Sequence, residues 1–212
     1  MNKKIVVLCL FLMSCMGVAA HADTIGPNCG SCLGSTYTLT YSPTGTANLY
    51  NVSLVVNTAG FTGPSTDLLN AIAIKIVPQT SDYTSIVPTS LPATFIGGIR
   101  TGGLSANGCS GAGDGFFCMP SSTLGVPVGA VGDVYTFSFL VGVDSAANLL
   151  TGNLASSVKA LYVTSAGQQN GITSEDITLQ PGRTPAVPEP STFALMGTGL
   201  VGAALFGRKL IA

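Results

Sequence analysis

Apolar and polar positions alternate along much of the middle of the chain. Tyr37, Leu39 and Tyr41 are interleaved with Thr36, Thr38 and Thr40, and Tyr50, Val52, Leu54 and Val56 with Asn51 and Ser53. Ile72, Ile74 and Ile76 follow with Lys75 on the opposite side, and Tyr135, Phe137, Phe139, Val141 and Val143 alternate with Thr136 and Ser138. Residues 158–163 and 176–179 carry the same pattern, and 83–87 and 94–99 are shorter candidates. Successive side chains of an extended backbone point to opposite faces, so a period of two on β-branched and aromatic residues predicts half-buried strands.

Stretches rich in Gly, Pro, Asn and Ser at 42–45, 60–65, 102–115, 125–132, 151–153 and 167–171 separate these runs and read as turns. The only helical candidate in this region is a short one at 145–156. About eight strands without strand–helix alternation predict an all-β fold, an antiparallel β-sandwich or jelly-roll-like domain. No repeat of fixed period suggests a solenoid or propeller.

The ends of the chain break the pattern. Met1-Asn2-Lys3-Lys4 precedes an uncharged apolar run that leads to Ala20-His21-Ala22. A positive start, an apolar stretch and a small-x-small site predict a signal helix over 1–22, removed after Ala22. A lipobox-like Leu12-Met13-Ser14-Cys15 fits less well, because Met13 is a poor match. Near the other end a second apolar run, 191–207, is closed by Arg208 and Lys209. Its 17 residues would span about 25 Å as a transmembrane helix, with the two basic residues as a positive-inside stop. Pro188 and Pro190 hold the preceding peptide extended. The expected organisation is a signal peptide at 1–22, an exported domain at 23–184 and a tail at 185–212.

Charge then narrows the field. The whole chain has 8 basic and 9 acidic residues, one His and no Trp. Between 23 and 190, four basic residues (Lys75, Arg100, Lys159, Arg183) face nine acidic ones, a net of −5. Nothing there could neutralise a run of phosphates, so nucleic acid is not expected as a partner. His21, the single histidine, would leave with the signal, which excludes imidazole-based catalysis and His-ligated zinc.

The tail Val187-Pro188-Glu189-Pro190-Ser191, the Gly-containing apolar span and Arg208-Lys209 together resemble the PEP-CTERM sorting signal of Gram-negative bacteria. The resemblance implies processing by an exosortase near Pro188-Glu189-Pro190, after transient residence in the inner membrane. Release to the cell surface or an extracellular polysaccharide matrix would follow. The segments 102–111 with Phe116-Phe117-Cys118, and 171–179, resemble stretches found in other proteins with such a tail.

Four cysteines remain in the exported part: Cys29, Cys32, Cys109 and Cys118. Two disulfides are expected there, with three connectivities open. Cys109–Cys118, flanking a Gly/Ser-rich loop, is the favoured pair, and Cys29–Cys32 its complement. Cys29-Gly30-Ser31-Cys32 also has the redox CxxC spacing, but Gly26-Pro27-Asn28 before it and a strand after it predict a loop rather than a helix N-terminus. Zinc on four thiolates would need a shorter second spacing, so no metal and no cofactor are expected.

Glycoside hydrolysis needs two carboxylates across a cleft. Asp114, Asp133, Asp144, Glu175 and Asp176 are available, yet no recognised catalytic spacing links them. Asp114, between Gly113 and Gly115, reads as a turn residue. The expectation is an exported, non-enzymatic surface or matrix protein associated with exopolysaccharide or biofilm. A carbohydrate-binding module is the alternative, and a secreted hydrolase the more distant one.

Overall fold

The alternating segments fold into two antiparallel sheets packed face to face. The computed structural model describes residues 21–111, 113–130, 133–150 and 156–177, all within one compact unit, Ala20–Thr184. Numbered along the chain, the first sheet runs β1 (His21–Ile25), β2 (Thr36–Pro43), β3 (Leu49–Asn57), β11 (Val134–Val143), β5 (Tyr83–Ser90). The second runs β13 (Gln169–Ile177), β12 (Ser156–Val163), β4 (Leu68–Lys75), β9 (Phe116–Pro120), β6 (Arg100–Thr101), with β10 (Val126–Pro127) also paired to β4. A separate hairpin joins β7 (Gly103–Ser105) to β8 (Gly108–Gly111).

Alternation puts the apolar side of each sheet inward. Tyr37, Leu39 and Tyr41 of β2, Val52, Leu54 and Val56 of β3, and Phe137, Phe139 and Val141 of β11 are all buried. They meet Ile72 and Ile74 of β4, Phe117 and Met119 of β9, and Val158, Ala160 and Tyr162 of β12 in one core. Phe117 stands edge-on to Phe139 across the sheets, with ring centroids 5.1 Å apart. Phe95 meets Phe137 in the same way at 4.8 Å. Burying each such ring contributes about 1.5–3 kcal/mol, before the extra attraction of edge-to-face geometry.

Polar groups also cross between the sheets. Tyr162 of β12 donates to Ser35 Oγ at 3.0 Å, and its oxygen lies 2.5 Å from the hydroxyl of Tyr37 on β2. Tyr41 donates to the Leu150 carbonyl at 2.5 Å, which also accepts from Ser156 Oγ at 3.1 Å. Buried hydroxyls must find partners, so these bonds fix how the two sheets align.

The second sheet departs from the half-buried expectation. Its outer face carries a further apolar cluster, in which Ala71, Ala73, Phe116, Cys118, Leu161 and Val163 are buried beneath Leu104 and Cys109 of the hairpin. A register shift opposite Leu161 and Tyr162 makes Asn70 an extra residue in β4. That bulge restores Leu69 to the inner face beside Tyr162 and leaves Asn70 free to bond the carbonyls of Thr123 and Leu124. Small residues at 71 and 73 let the hairpin approach the sheet closely.

Other expectations change for local reasons. Residues 94–99 form a loop, not a strand: Phe95 plugs the core and the Thr94 carbonyl accepts from Ser121 and Ser122. The turns expected at 102–115 and 125–132 hold β7, β8 and β10, and β13 begins within 167–171. Of the helix expected at 145–156, the described part is only the 3-10 turn Ala146–Asn148. Residues 1–20 of the expected signal helix and the transmembrane helix at 191–207 lie outside the described residues, while His21 and Ala22 belong to β1 rather than to a helix. Among the described residues no helix is long and apolar enough to cross a membrane.

Phe137 and Ile96 give the sharpest contrast in burial. Phe137 is fully buried and Ile96 is 75% exposed. Phe137→Ala is expected to cost about 3–5 kcal/mol of unfolding free energy, and Ile96→Ala to stay within about 0.5 kcal/mol, by urea titration.

Candidate functional site

The outer face of the second sheet gathers most of the chemistry that the described residues offer. Cys109 of β8 and Cys118 of β9 are joined by a disulfide with Cα atoms 5.6 Å apart. The bond pins the hairpin to the sheet where its own apolar contribution is small. Closing a loop of this length restricts the unfolded chain by about 2–3 kcal/mol. The second disulfide, Cys29–Cys32, has Cα atoms 5.2 Å apart and closes a turn in which the Cys32 N–H donates to the Cys29 carbonyl. Cys32 is buried in the main core, and β2 begins four residues later, so the CxxC lies in a loop before a strand.

Next to the hairpin, two lysines share one aromatic ring. Lys159 Nζ lies 4.6 Å and Lys75 Nζ 5.7 Å from the centroid of Phe116. The register explains the meeting: Lys75 stands directly opposite Phe116, and Lys159 opposite Ala73, two residues from Lys75 on the same face. The face of an aromatic ring is negative, and each contact at a partly exposed site contributes about 0.5–1 kcal/mol. Arg100 opposes Cys118 in the same ladder and so belongs to the same face.

The loop leading into Phe116 is held by Asp114. Its Oδ1 accepts from the N–H groups of Thr80 at 2.7 Å and Gly115 at 3.0 Å. The Thr80 bonds hold the Asp114 carboxyl below its ordinary value against desolvation, with lesser help from Gly115 and from the positive charge of Lys75. Gly115 has φ +74°, and a Cβ there would come within 2.1 Å of the Val77 carbonyl. Only glycine fits that turn. Tyr83 donates to the Gly115 carbonyl at 2.9 Å, and burial pushes its phenol well up.

Other carboxylates hold backbone or side-chain amides. Asp133 Oδ2 accepts from the Ala130 N–H, Asp82 Oδ2 from the Gln79 N–H, and Asp144 Oδ1 from the Asn148 amide. Asp67 is buried with one oxygen bonded by the Asn170 amide and the other without a partner among the described residues. Glu175 and Asp176 lie on β13, paired to Val158 and Ser157. Among the described residues no three His, Cys, Asp or Glu side chains converge. Ala22 is on β1, opposite Thr40. Val187, Pro188, Glu189, Pro190, Ser191, Arg208 and Lys209 lie outside the described residues. The lysine pair on Phe116 escaped the sequence reading. Its one signal was a lysine interrupting each of two apolar strands, with no indication that the strands were neighbours.

The tail carries the decisive comparison. Residues 186–209 match the PEP-CTERM protein-sorting motif, a span that includes Val187 to Ser191 and reaches Arg208 and Lys209. The motif marks an exported protein sorted by an exosortase to the surface or exterior of a Gram-negative cell. The chain carries a PEP-CTERM protein-sorting motif at residues 186–209. No curated protein matches the chain. A solved structure bearing on pH-induced modulation of Streptococcus parasanguinis adhesion by Fap1 fimbriae is similar at 13% identity and a TM-score of 0.33, over 76% of this chain and 95% of that one. The KRT10-binding region domain of the pneumococcal serine rich repeat protein PsrP is similar at 13% identity and a TM-score of 0.28, over 77% and 100%. Scores that low do not establish a shared fold.

Cys109→Ser/Cys118→Ser is expected to lower stability by about 2–3 kcal/mol, measured by urea titration against the oxidised parent. Full retention of the parent midpoint would show that the hairpin needs no tether. Acid should act on Asp114. A carboxyl whose folded value is depressed stabilises the fold above its unfolded value and loses that contribution as pH falls through the folded one. The Gly115 amide resonance should therefore follow a titration whose midpoint lies below that of a free aspartate, and Asp114→Asn should remove the step.

Proposed function

We propose that the chain is a non-enzymatic component of the cell surface or extracellular matrix, released near Pro188-Glu189-Pro190 by an exosortase. The observation that carries this reading is the sorting motif over 186–209. In it, residues 1–22 act as a signal removed after Ala22, 23–184 form the exported β-domain, and 191–207 span the inner membrane until release. Arg208 and Lys209 stop the tail on the cytoplasmic side. Cleavage after Ala22 would leave Asp23, Thr24 and Ile25 of β1 paired to β2.

A passive role is supported by how the domain uses its acidic groups. Asp82, Asp114, Asp133 and Asp144 each hold a neighbouring backbone or amide group, the work of loop fasteners. Two disulfides suit residence outside the reducing cytoplasm. Exopolysaccharide is the partner expected at that destination.

Cell fractionation with intact-mass spectrometry tests the reading. Wild-type protein should begin at Asp23, end near Pro190, and be lighter than its fully reduced form by the four hydrogens of two disulfides. Replacing Pro188, Glu189 and Pro190 by Ala, or removing the exosortase, should leave it in the membrane with Arg208 attached. A wild-type product that keeps Arg208 would overturn the proposal.

A further inference from the structure

We infer that the outer face of the second sheet is a binding site for a carboxylated polysaccharide, with Lys75 and Lys159 as its cationic pair. The inference rests on the surface or matrix reading above and names its partner class. Lys75, Arg100 and Lys159 are the only basic residues among those described, and strand register places all three on this one face. Residues 23–190 carry a net −5, so three of their four cations on one face make that face electrostatically distinct.

The two ammonium groups lie within about 10 Å of each other, because both sit over the ring of Phe116. An anion placed between or beside them is attracted to both. The ring orients both lysines without neutralising them, since its attraction leaves their N–H donors unspent. Phe116 is itself buried under the lysines and the loop before it, so it acts as a support and the ammonium groups as the contacts. Asp114 adds negative charge on the Lys75 side. Asp176 takes a position on the same face two strands from Lys75.

The same charge pattern selects the ligand. A dense polyanion such as nucleic acid needs many cations along its length, and this face offers three among the described residues. A polysaccharide with carboxylates spaced along a largely neutral chain needs only a local pair, each carboxylate accepting charge-assisted bonds from an ammonium group.

The test uses full-length-derived protein purified from exporting cells, with hyaluronan (a carboxylate on every second sugar), dextran and single-stranded DNA as probes. Wild type should bind hyaluronan, release it as ionic strength rises, and ignore dextran. Lys75→Gln/Lys159→Gln should weaken binding by about tenfold or more, while Lys75→Arg/Lys159→Arg retains it. Thr89→Glu/Ala93→Glu lowers net charge equally on exposed positions away from this face and should leave binding near wild type. Equal loss in that control, preference for DNA, or no binding by correctly processed wild type would each overturn the inference. The mass of the C-terminus reports sorting independently, so a processed protein indifferent to hyaluronan would leave the sorting proposal standing.

Discussion

The second sheet has to be covered twice. Its inner face meets the first sheet across a core of fully buried aromatic and aliphatic side chains, which needs no further fastening. Its outer face meets a hairpin whose only large apolar contribution is Leu104. A few buried methyl groups do not outweigh the entropy of ordering a Gly/Ser-rich segment. The Cys109–Cys118 bond supplies what the hairpin's own burial does not, while Phe116 is held by its ladder to β4 and Asp114 and Gly115 by Thr80 and Tyr83.

Polar bonds inside the sandwich act differently. Tyr37, Tyr162 and Ser35 form a short chain of hydroxyls between the sheets, in surroundings too apolar to leave any of them unpaired. Burial, with the neighbouring Tyr37 adding to it, pushes the Tyr162 phenol far above its ordinary value. Such a network adds little net energy but penalises any sliding of one sheet over the other. The fold thus gets its strength from rings and its alignment from hydroxyls.

Much of this architecture is legible in the sequence, for a specific reason. The long strands of the first sheet, β2, β3 and β11, bury one face only, so their alternation reports their orientation directly. The second sheet hides its outer face behind Ala71 and Ala73, residues whose size reflects close approach rather than exposure. The hairpin that covers them has no apolar period of its own and resembles a loop. Asn70 adds one residue and reverses the phase of β4, which no fixed period can anticipate. The sorting motif lies at the opposite extreme: a short string of particular residues, readable with no knowledge of the fold. The lysine pair on Phe116 depends on which strands are neighbours, and pattern alone does not carry that information.

The tether also has a bearing on when the domain can mature. In a reducing cytoplasm its two sulfurs remain thiols, and the flap they would fasten has little reason to settle on the sheet. Oxidation after export would fasten that flap last, so the outer face of the second sheet is closed only where the bond can form.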